Sequence, residues 1–411
     1  MRAGRVALLL GLILSLVLLL VAGSVLLVRL PAATDATGAI PDQTGEPPVP
    51  ARPSVTAPAT VAMPTITPEP LVPTRDAEGA AAAPTGIKPT VPAATPAATP
   101  TTPPAAASQR VGLTGAVDYL QAGLAAGLPV SHFINWRLML DPPDAPGVTF
   151  WQMVRLGEAG VVAPWSDIEA VIEAHPGSFW LVSNEPDVRW QDNVTAARYA
   201  ELYHEVYTFI KERDPEARVG AGGIALATPL RLAYLDDVLR VYRETYGEPM
   251  AVDLSTRHAF VLREELDSWG LGIPPGRDET AGLQYEIEDH GDLALMESHV
   301  RDFRAWMAAR GYRDVPLAVT EFGVIMPHDY GFPPAFVADY LRGAFEFFET
   351  AAGQDGYPAD DNRLVQWWFW YSLYDDGAYP TGNLYDAPAG VLTEAGRAYI
   401  EAVSYLNANR R

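Results

Sequence analysis

Trp180-Leu-Val-Ser-Asn-Glu-Pro-Asp187 is an apolar strand that runs into a glutamate beside a proline, and Leu317-Ala-Val-Thr-Glu-Phe-Gly323 repeats the pattern beside a glycine. A carboxylate at the end of a buried strand is costly to desolvate, so it is rarely found there without a partner charge or a chemical role. Glu185 and Glu321 are therefore the first candidates for a functional site.

The sequence around these two stretches predicts a parallel barrel. Apolar, strand-like runs alternate with amphipathic helical runs along the chain from Val130 to Leu406. Strands separated by helices at this spacing favour a parallel sheet covered on both faces, and the number of units favours closure. We predict an α/β fold, a (β/α)8 TIM barrel over residues 109–411. Both glutamates then fall at the carboxyl ends of strands, where such barrels carry their active sites.

The first part of the barrel is harder to assign. Only two clear strands, Val130–Arg137 and Thr149–Arg155, precede the strand that ends in Glu185, whereas a full barrel places three there. The short run Gly160-Val-Val-Ala-Pro164 is one candidate for the third strand. Degenerate first units are the other interpretation.

Residues 1–30 have the pattern of a membrane-directed segment. Arg2 and Arg5 precede a run from Val6 to Val28 without a charged residue, which at roughly 23 residues is long enough to cross a bilayer. We predict a signal anchor here, with a cleaved signal peptide as the alternative, and the positive-inside rule leaves the remainder outside the cytoplasm. Residues 31–108 are rich in Pro, Ala and Thr, which predicts a disordered linker that serves as a stalk or as a plain spacer.

Composition narrows the classes of partner. The 411-residue chain has a formal net charge of -22, which argues against nucleic acid as a partner. It contains no cysteine, so disulfides, thiolate metal sites and thiol nucleophiles are excluded. We expect a monomer that acts on an oligosaccharide or polysaccharide without a cofactor or a metal ion.

The two glutamate motifs also resemble a known group of enzymes. Asn184-Glu185-Pro186 and Thr320-Glu321-Phe322-Gly323 are similar to the fourth-strand and seventh-strand motifs of the clan A glycoside hydrolases, retaining barrel enzymes that include many cellulases, xylanases and β-glucanases. The resemblance implies that Glu185 is the general acid/base and that Glu321 is the nucleophile. It also implies that Asn184 hydrogen-bonds the sugar 2-hydroxyl.

Aromatic and imidazole side chains supply further candidates. His258 lies late on the strand between the two motifs, where it is either a neighbour that tunes Glu321 or a core histidine. In the last strand, Trp368 and Trp370 share a face by the period of two. We expect Trp370 to be the floor under the sugar ring, and we expect Trp367 and Phe369 to pack against helices.

An arginine is expected to keep the nucleophile ionised. Arg155 and Arg137 end the two early strands, and a positive charge within about 4 to 6 Å lowers the pKa of a carboxyl group. The sequence does not decide between them, and either could instead form a surface salt bridge.

These observations lead to one main hypothesis and two rivals. The main hypothesis is an exported, membrane-tethered, retaining glycoside hydrolase that cleaves β-linked glycans with two glutamates. The first rival is a non-catalytic carbohydrate-binding or wall-attachment protein on the same barrel. The second is a surface scaffold in which the glutamates form structural salt bridges with Arg137 or Arg155.

Overall fold

The structure is a computed structural model that describes residues 109–377 and 379–408. The predicted export segment, residues 1–30, and the predicted linker, residues 31–108, lie outside the described residues. Among the described helices, none combines the length and the apolar character that crossing a bilayer requires.

Eight parallel strands form the centre of the domain. The strands are β1 (Val111–Thr114), β2 (His132–Ile134), β3 (Thr149–Val154), β4 (Phe179–Val182), β5 (Arg218–Ala221), β6 (Ser255–His258), β7 (Leu317–Phe322) and β8 (Trp367–Trp370). Their order in the sheet is β5-β4-β3-β2-β1-β8-β7-β6, and the two edge strands meet through parallel bridges at Gly220–Leu254 and Ile224–Arg257. The sheet therefore curls into a nearly closed barrel, which confirms the predicted α/β TIM-barrel class.

Helices follow seven of the eight strands. Between β2 and β3 the described chain contains no helix, so the predicted alternation of strand and helix is incomplete in this one unit. The helices are α1 (Leu120–Ala125), α2 (Trp165–Ala174), α3 (Ala196–Arg213), α4 (Pro229–Tyr246), α5 (Leu293–Ala309), α6 (Pro334–Thr350) and α7 (Glu394–Ala408). The described strands outside the barrel are Leu156–Gly157, Gly160–Val161, Ala352–Tyr357, Tyr385–Asp386 and Val391–Leu392.

The third early strand is Val111–Thr114, at the very start of the domain. It pairs with β2 on one side and with β8 on the other, and so joins the first and last units of the barrel. The expectation that Gly160–Pro164 could supply this strand is wrong, because Gly160–Val161 pairs antiparallel with Leu156–Gly157 in a separate two-stranded hairpin. Glu185 consequently follows the fourth strand, and Glu321 lies on the seventh.

Large aromatic rings fill the barrel interior. Trp151 of β3 stacks on Phe179 of β4 with ring centroids 4.3 Å apart, and Phe369 of β8 meets Trp151 edge-on at 4.8 Å. Phe369 fits because β1 carries glycine at position 112: a Cβ added there would overlap the Phe369 ring. The barrel interior is thus a packed apolar layer.

A methyl group added at Gly112 tests this packing. We expect Gly112→Ala to lower the free energy of unfolding by roughly 1 to 3 kcal/mol, because overpacking a dense core forces strain. Gly157→Ala is the matched control, since nothing lies within 4 Å of a Cβ added there. Denaturant titration of both variants measures the difference, and equal stabilities would contradict this account of the interior.

Candidate active site

Glu185 extends from an unusual backbone at the end of β4. Its φ is 44° and that of Ser183 is 84°, both in the left-handed region that non-glycine residues seldom adopt. The turn is held by the Glu185 amide, which donates to the Gly223 carbonyl at 3.1 Å, and by the Glu185 carbonyl, which accepts from the Val188 amide at 3.1 Å. Strained backbone that the surroundings hold in place is typical of functional sites.

Asp192 holds this turn in place through hydrogen bonds. One carboxylate oxygen of Asp192, Oδ2, accepts from the Ser183 hydroxyl at 2.8 Å and from the Asn184 amide at 3.0 Å. The same oxygen accepts from the Leu156 amide, while Oδ1 accepts from Arg155 Nε at 2.6 Å. This buried aspartate therefore fixes the two residues that precede Glu185.

Glu321 lies on β7 and is 7% exposed. Its Oε1 accepts a hydrogen bond of 2.6 Å from the indole Nε1 of Trp136, a residue just past the end of β2. Glu321 is also among the residues that line the cleft described below. One oxygen of a cleft-lining carboxyl group is thus held in place by an indole.

His258, at the end of β6, lies between the two glutamates. Its Nδ1 and Glu185 Oε1 share a hydrogen bond of 2.8 Å, and its Nε2 is 3.6 Å from Glu321 Oε1. The ring is 1% exposed and packs so closely on Gly223 that a Cβ at that position would clash with it. A single imidazole therefore spans the gap between the carboxyl groups.

The electrostatics of this group are coupled. Burial disfavours the charged form of His258, but the neighbouring carboxylates of Glu321 and Glu185 outweigh burial and raise its pKa above the ordinary value. Burial also raises the pKa of Glu321; His258 and the Trp136 N–H oppose this rise, and Glu185 adds to it. Both shifts favour the protonated form of the group concerned, His258 or Glu321.

A cleft of about 310 Å³ opens above the two glutamates. Its walls are largely aromatic and aliphatic, with few polar groups near the carboxyls, which is the usual character of a small-molecule site. The lining residues are Glu185, Val188, Trp190, Gln191, Phe260, Leu262, Trp269, Gly270, Leu271, Glu321, Ile325, Met326, Tyr371 and Tyr379.

The remaining predicted polar residues have different surroundings. Asn184 is buried beside Glu185; its Nδ2 donates to Gln191 at 3.3 Å, and its Oδ1 has no partner among the described residues. Arg155 pairs with Asp192 rather than with Glu321, although its charge opposes the rise in the pKa of Glu321. Arg137 is exposed in a separate groove that it shares with Arg155. The hydrogen-bond donor at Glu321 is Trp136, and of the two predicted arginines it is Arg155 whose charge opposes the rise in the pKa of Glu321.

The predicted sugar-stacking tryptophans also need correction. Trp370 is fully buried, and its indole donates to the Gly382 carbonyl at 2.7 Å. Trp368 is equally buried, stacked on Phe348 of α6. The inside and outside faces of β8 are the reverse of those expected, because Phe369 points into the barrel and Trp368 towards the helices. The predicted alternation of β8 residues between the two faces is confirmed, but the prediction of which residues face inwards was wrong.

The interior face of β8 continues into the cleft through Tyr371. Its hydroxyl donates to Asp375 at 2.8 Å, and its ring lies 5.9 Å from that of Trp136. Neither Tyr371 nor Trp136 was singled out from the sequence. Alternation along β8, counted from Phe369, would have identified Tyr371; no sequence signal marks Trp136, because the loop that turns it towards Glu321 has no regular period.

The insertion after β6, residues 263–291, forms one wall of the cleft through Trp269 and Leu271. It is anchored by Arg231 of α4, a fully buried arginine. The guanidinium bonds to Asp187 at 2.5 Å and lies 2.8 Å from Glu264, and it donates to the Gly272 carbonyl at 2.9 Å. One cation therefore ties the loop that carries Glu185 to the insertion.

Removal of this cation should destabilise the fold. We expect Arg231→Met to cost roughly 3 to 5 kcal/mol at neutral pH, since it leaves two buried carboxylates without a counter-charge. Burial already raises the pKa of Asp187 and of Glu264. Protonation at low pH removes their charge, so the deficit should shrink as pH falls.

Denaturant unfolding at pH 5 and pH 8 measures this deficit. Arg240→Met is the matched control, because Arg240 lies on the same helix with exposed partners at Asp237 and Glu244, and we expect it to change stability little. A loss of equal size in the two variants would show that the buried cluster has no special role.

The described residues contain no group of three or more His, Cys, Asp or Glu side chains arranged to hold a metal ion.

Of the comparisons with known proteins, the one with solved structures found matches. No protein-family model matches the chain, and no curated protein matches its sequence. A variant of an endo-β-1,3-glucanase of GH128 subgroup I from Amycolatopsis mediterranei, in complex with laminarihexaose, is 17% identical, covering 71% of this chain and 99% of that chain with a TM-score of 0.49.

Two other similar structures differ in their described activity. A curdlan-specific exo-β-1,3-glucanase of GH128 subgroup III from Blastomyces gilchristii is 20% identical over 72% of this chain and 99% of that chain, with a TM-score of 0.49. A GH128 subgroup VII oligosaccharide-binding protein from Trichoderma gamsii is 14% identical over 75% and 98%, with a TM-score of 0.45. Likeness at this level does not decide what this chain does.

Proposed function

We propose that the protein is a retaining glycoside hydrolase that cleaves β-linked glycans. The observation that carries the proposal is the pair of glutamates, one after strand four and one on strand seven, that contact one imidazole and both line an aromatic cleft. Retaining glycosidases use two carboxyl groups in this way, one as acid/base and one as nucleophile. The aromatic walls suit the C–H faces of sugar rings.

The proposed reaction has two steps. In the first, Glu321 Oε2 bonds to the anomeric carbon, the bond from that carbon to the leaving oxygen breaks, and this oxygen takes its electron pair and a proton from Glu185. In the second step, Glu185 takes a proton from water as the water oxygen bonds to the anomeric carbon. The bond from that carbon to Glu321 breaks at the same time, and its electron pair returns to the carboxylate.

Loss of the nucleophile tests the proposal. We expect Glu321→Ala to abolish hydrolysis of a panel of β-1,3-glucan, β-1,4-glucan, mixed-linkage glucan and xylan. Added azide should then restore turnover of an activated β-glycoside and give an α-glycosyl azide, because azide attacks from the vacated side. Proton NMR of the product formed by the unaltered protein should show the β-anomer first.

The control for this variant is Glu346→Ala, which removes an exposed glutamate from α6. It should leave activity unchanged. An unaltered protein that binds these glycans without cleaving them would instead support the carbohydrate-binding alternative. Full activity of Glu321→Ala, or an α-product from the unaltered protein, would contradict the proposal.

The hydrogen bond from Trp136 gives a pH-dependent prediction. Trp136→Phe removes the N–H that lowers the pKa of Glu321, so that pKa should rise further. The proposed reaction needs Glu321 ionised, so kcat/KM rises with pH through that pKa. We therefore expect the acidic limb of the pH profile of kcat/KM to move to higher pH.

The matched control is Trp165→Phe, which alters a half-exposed tryptophan at the start of α2. Its pH profile should superimpose on that of the unaltered protein. If the acidic limb of Trp136→Phe moves to lower pH or does not move, the result would argue against Glu321 as the group that must be ionised.

The proposal includes the cellular setting expected from the sequence. The uncharged run from Val6 to Val28 after two arginines supports export and a membrane tether, with residues 31–108 as a spacer. We propose that the enzyme acts there as a monomer on oligosaccharides or polysaccharides, without a metal ion or cofactor.

A further inference from the structure

Trp190 is the most exposed tryptophan at the cleft. Its side chain is 64% exposed, yet it lines the same cleft as the two glutamates. A large apolar ring left open to solvent loses the stabilisation that burial would give, and such rings are enriched where a ligand covers them. Nothing in the two-glutamate chemistry accounts for it.

One face of Trp190 is supported by the preceding residue. The guanidinium carbon of Arg189 lies 3.9 Å from the centre of the Trp190 ring, and this arginine pairs with Asp267 of the insertion at 3.1 Å. A cation over an indole face is attracted to the ring electrons and restricts its rotation. The ring is therefore held with one face covered, and it lines the cleft.

The position of Trp190 is linked to that of Glu185 by consecutive turns. The Glu185 carbonyl accepts from the Val188 amide at 3.1 Å, and the Val188 carbonyl accepts from the Gln191 amide at 3.0 Å. Trp190 lies inside the second turn. The ring is consequently on the same loop as the group proposed to protonate the leaving oxygen.

We infer that Trp190 is the stacking platform of a subsite that binds the leaving sugar of a β-linked oligosaccharide. The inference rests on the proposed function, because it takes Glu185 as the acid. A sugar whose bridging oxygen touches Glu185 extends over the loop that carries Glu185, and Trp190 is the open aromatic ring on that loop. In the second step, the same ring binds a sugar that accepts the glycosyl group from Glu321 in place of water.

The acceptor step has a balanced chemistry. A hydroxyl of the bound sugar gives its proton to Glu185 as its oxygen bonds to the anomeric carbon. The bond from that carbon to Glu321 breaks, and its electron pair returns to the Glu321 carboxylate. Water and a sugar on Trp190 thus compete for the same glycosyl group.

Substrates with and without a leaving sugar test the inference. Laminarihexaose and cellohexaose occupy the subsite, whereas β-laminaribiosyl fluoride and β-cellobiosyl fluoride release only fluoride and leave it empty. For whichever hexaose the protein cleaves, we expect Trp190→Ala to lower kcat/KM by roughly five- to tenfold. Turnover of the fluoride with the same linkage should change by less than about twofold. Trp190→Phe should recover most of the loss, and Arg189→Met should lose an intermediate amount.

Trp165→Ala is the control for removing a surface tryptophan outside the cleft, and it should affect neither substrate. Equal losses on hexaose and fluoride in Trp190→Ala, or no loss on either, would overturn the subsite. Turnover of neither substrate by the unaltered protein would refute the proposed function separately. In that case, calorimetry of each hexaose with Glu321→Gln and with the double variant Glu321→Gln, Trp190→Ala still tests the platform. Weaker binding by the double variant supports the platform, and unchanged binding overturns it.

Discussion

The contact of two buried carboxyl groups with one imidazole is the constraint around which this barrel is organised. Carboxylates removed from water repel each other and lose hydration, so each needs a compensating partner. His258 supplies a nitrogen to Glu185 and places the other near Glu321, and the Trp136 indole donates to Glu321. These contacts with the imidazole and the indole N–H replace part of the lost hydration.

The surrounding chain is shaped to allow this contact. Gly223 leaves room for the imidazole, and the backbone of Glu185 adopts a left-handed conformation to bring its side chain to the ring. Asp192 holds that turn through three hydrogen bonds to backbone and hydroxyl groups, and Arg231 joins it to the insertion. Both supports carry charge in a buried setting, which explains why removal of either partner should be costly.

Much of this arrangement could be predicted from the sequence. The positions of the two glutamates at strand ends could be predicted, because the period of the apolar residues and the Pro or Gly that follows show where each strand stops. The phase of β8 could not be predicted, because every residue from Trp367 to Trp370 is aromatic and apolar alternation gives no signal. β1 was missed because it has four residues and follows directly on the Pro-rich segment. The role of Trp136 depends on a loop without periodicity.

Covalent trapping tests the central claim most directly. The account predicts that 2-deoxy-2-fluoro-β-laminaribiosyl fluoride, or its cellobiosyl counterpart, adds one fluoroglycosyl group to the intact protein, and that peptide mapping by mass spectrometry finds it on Glu321. A stable label on Glu185, or active protein that hydrolyses glycans while these reagents leave no label on Glu321, would contradict the assignment of Glu321 as nucleophile.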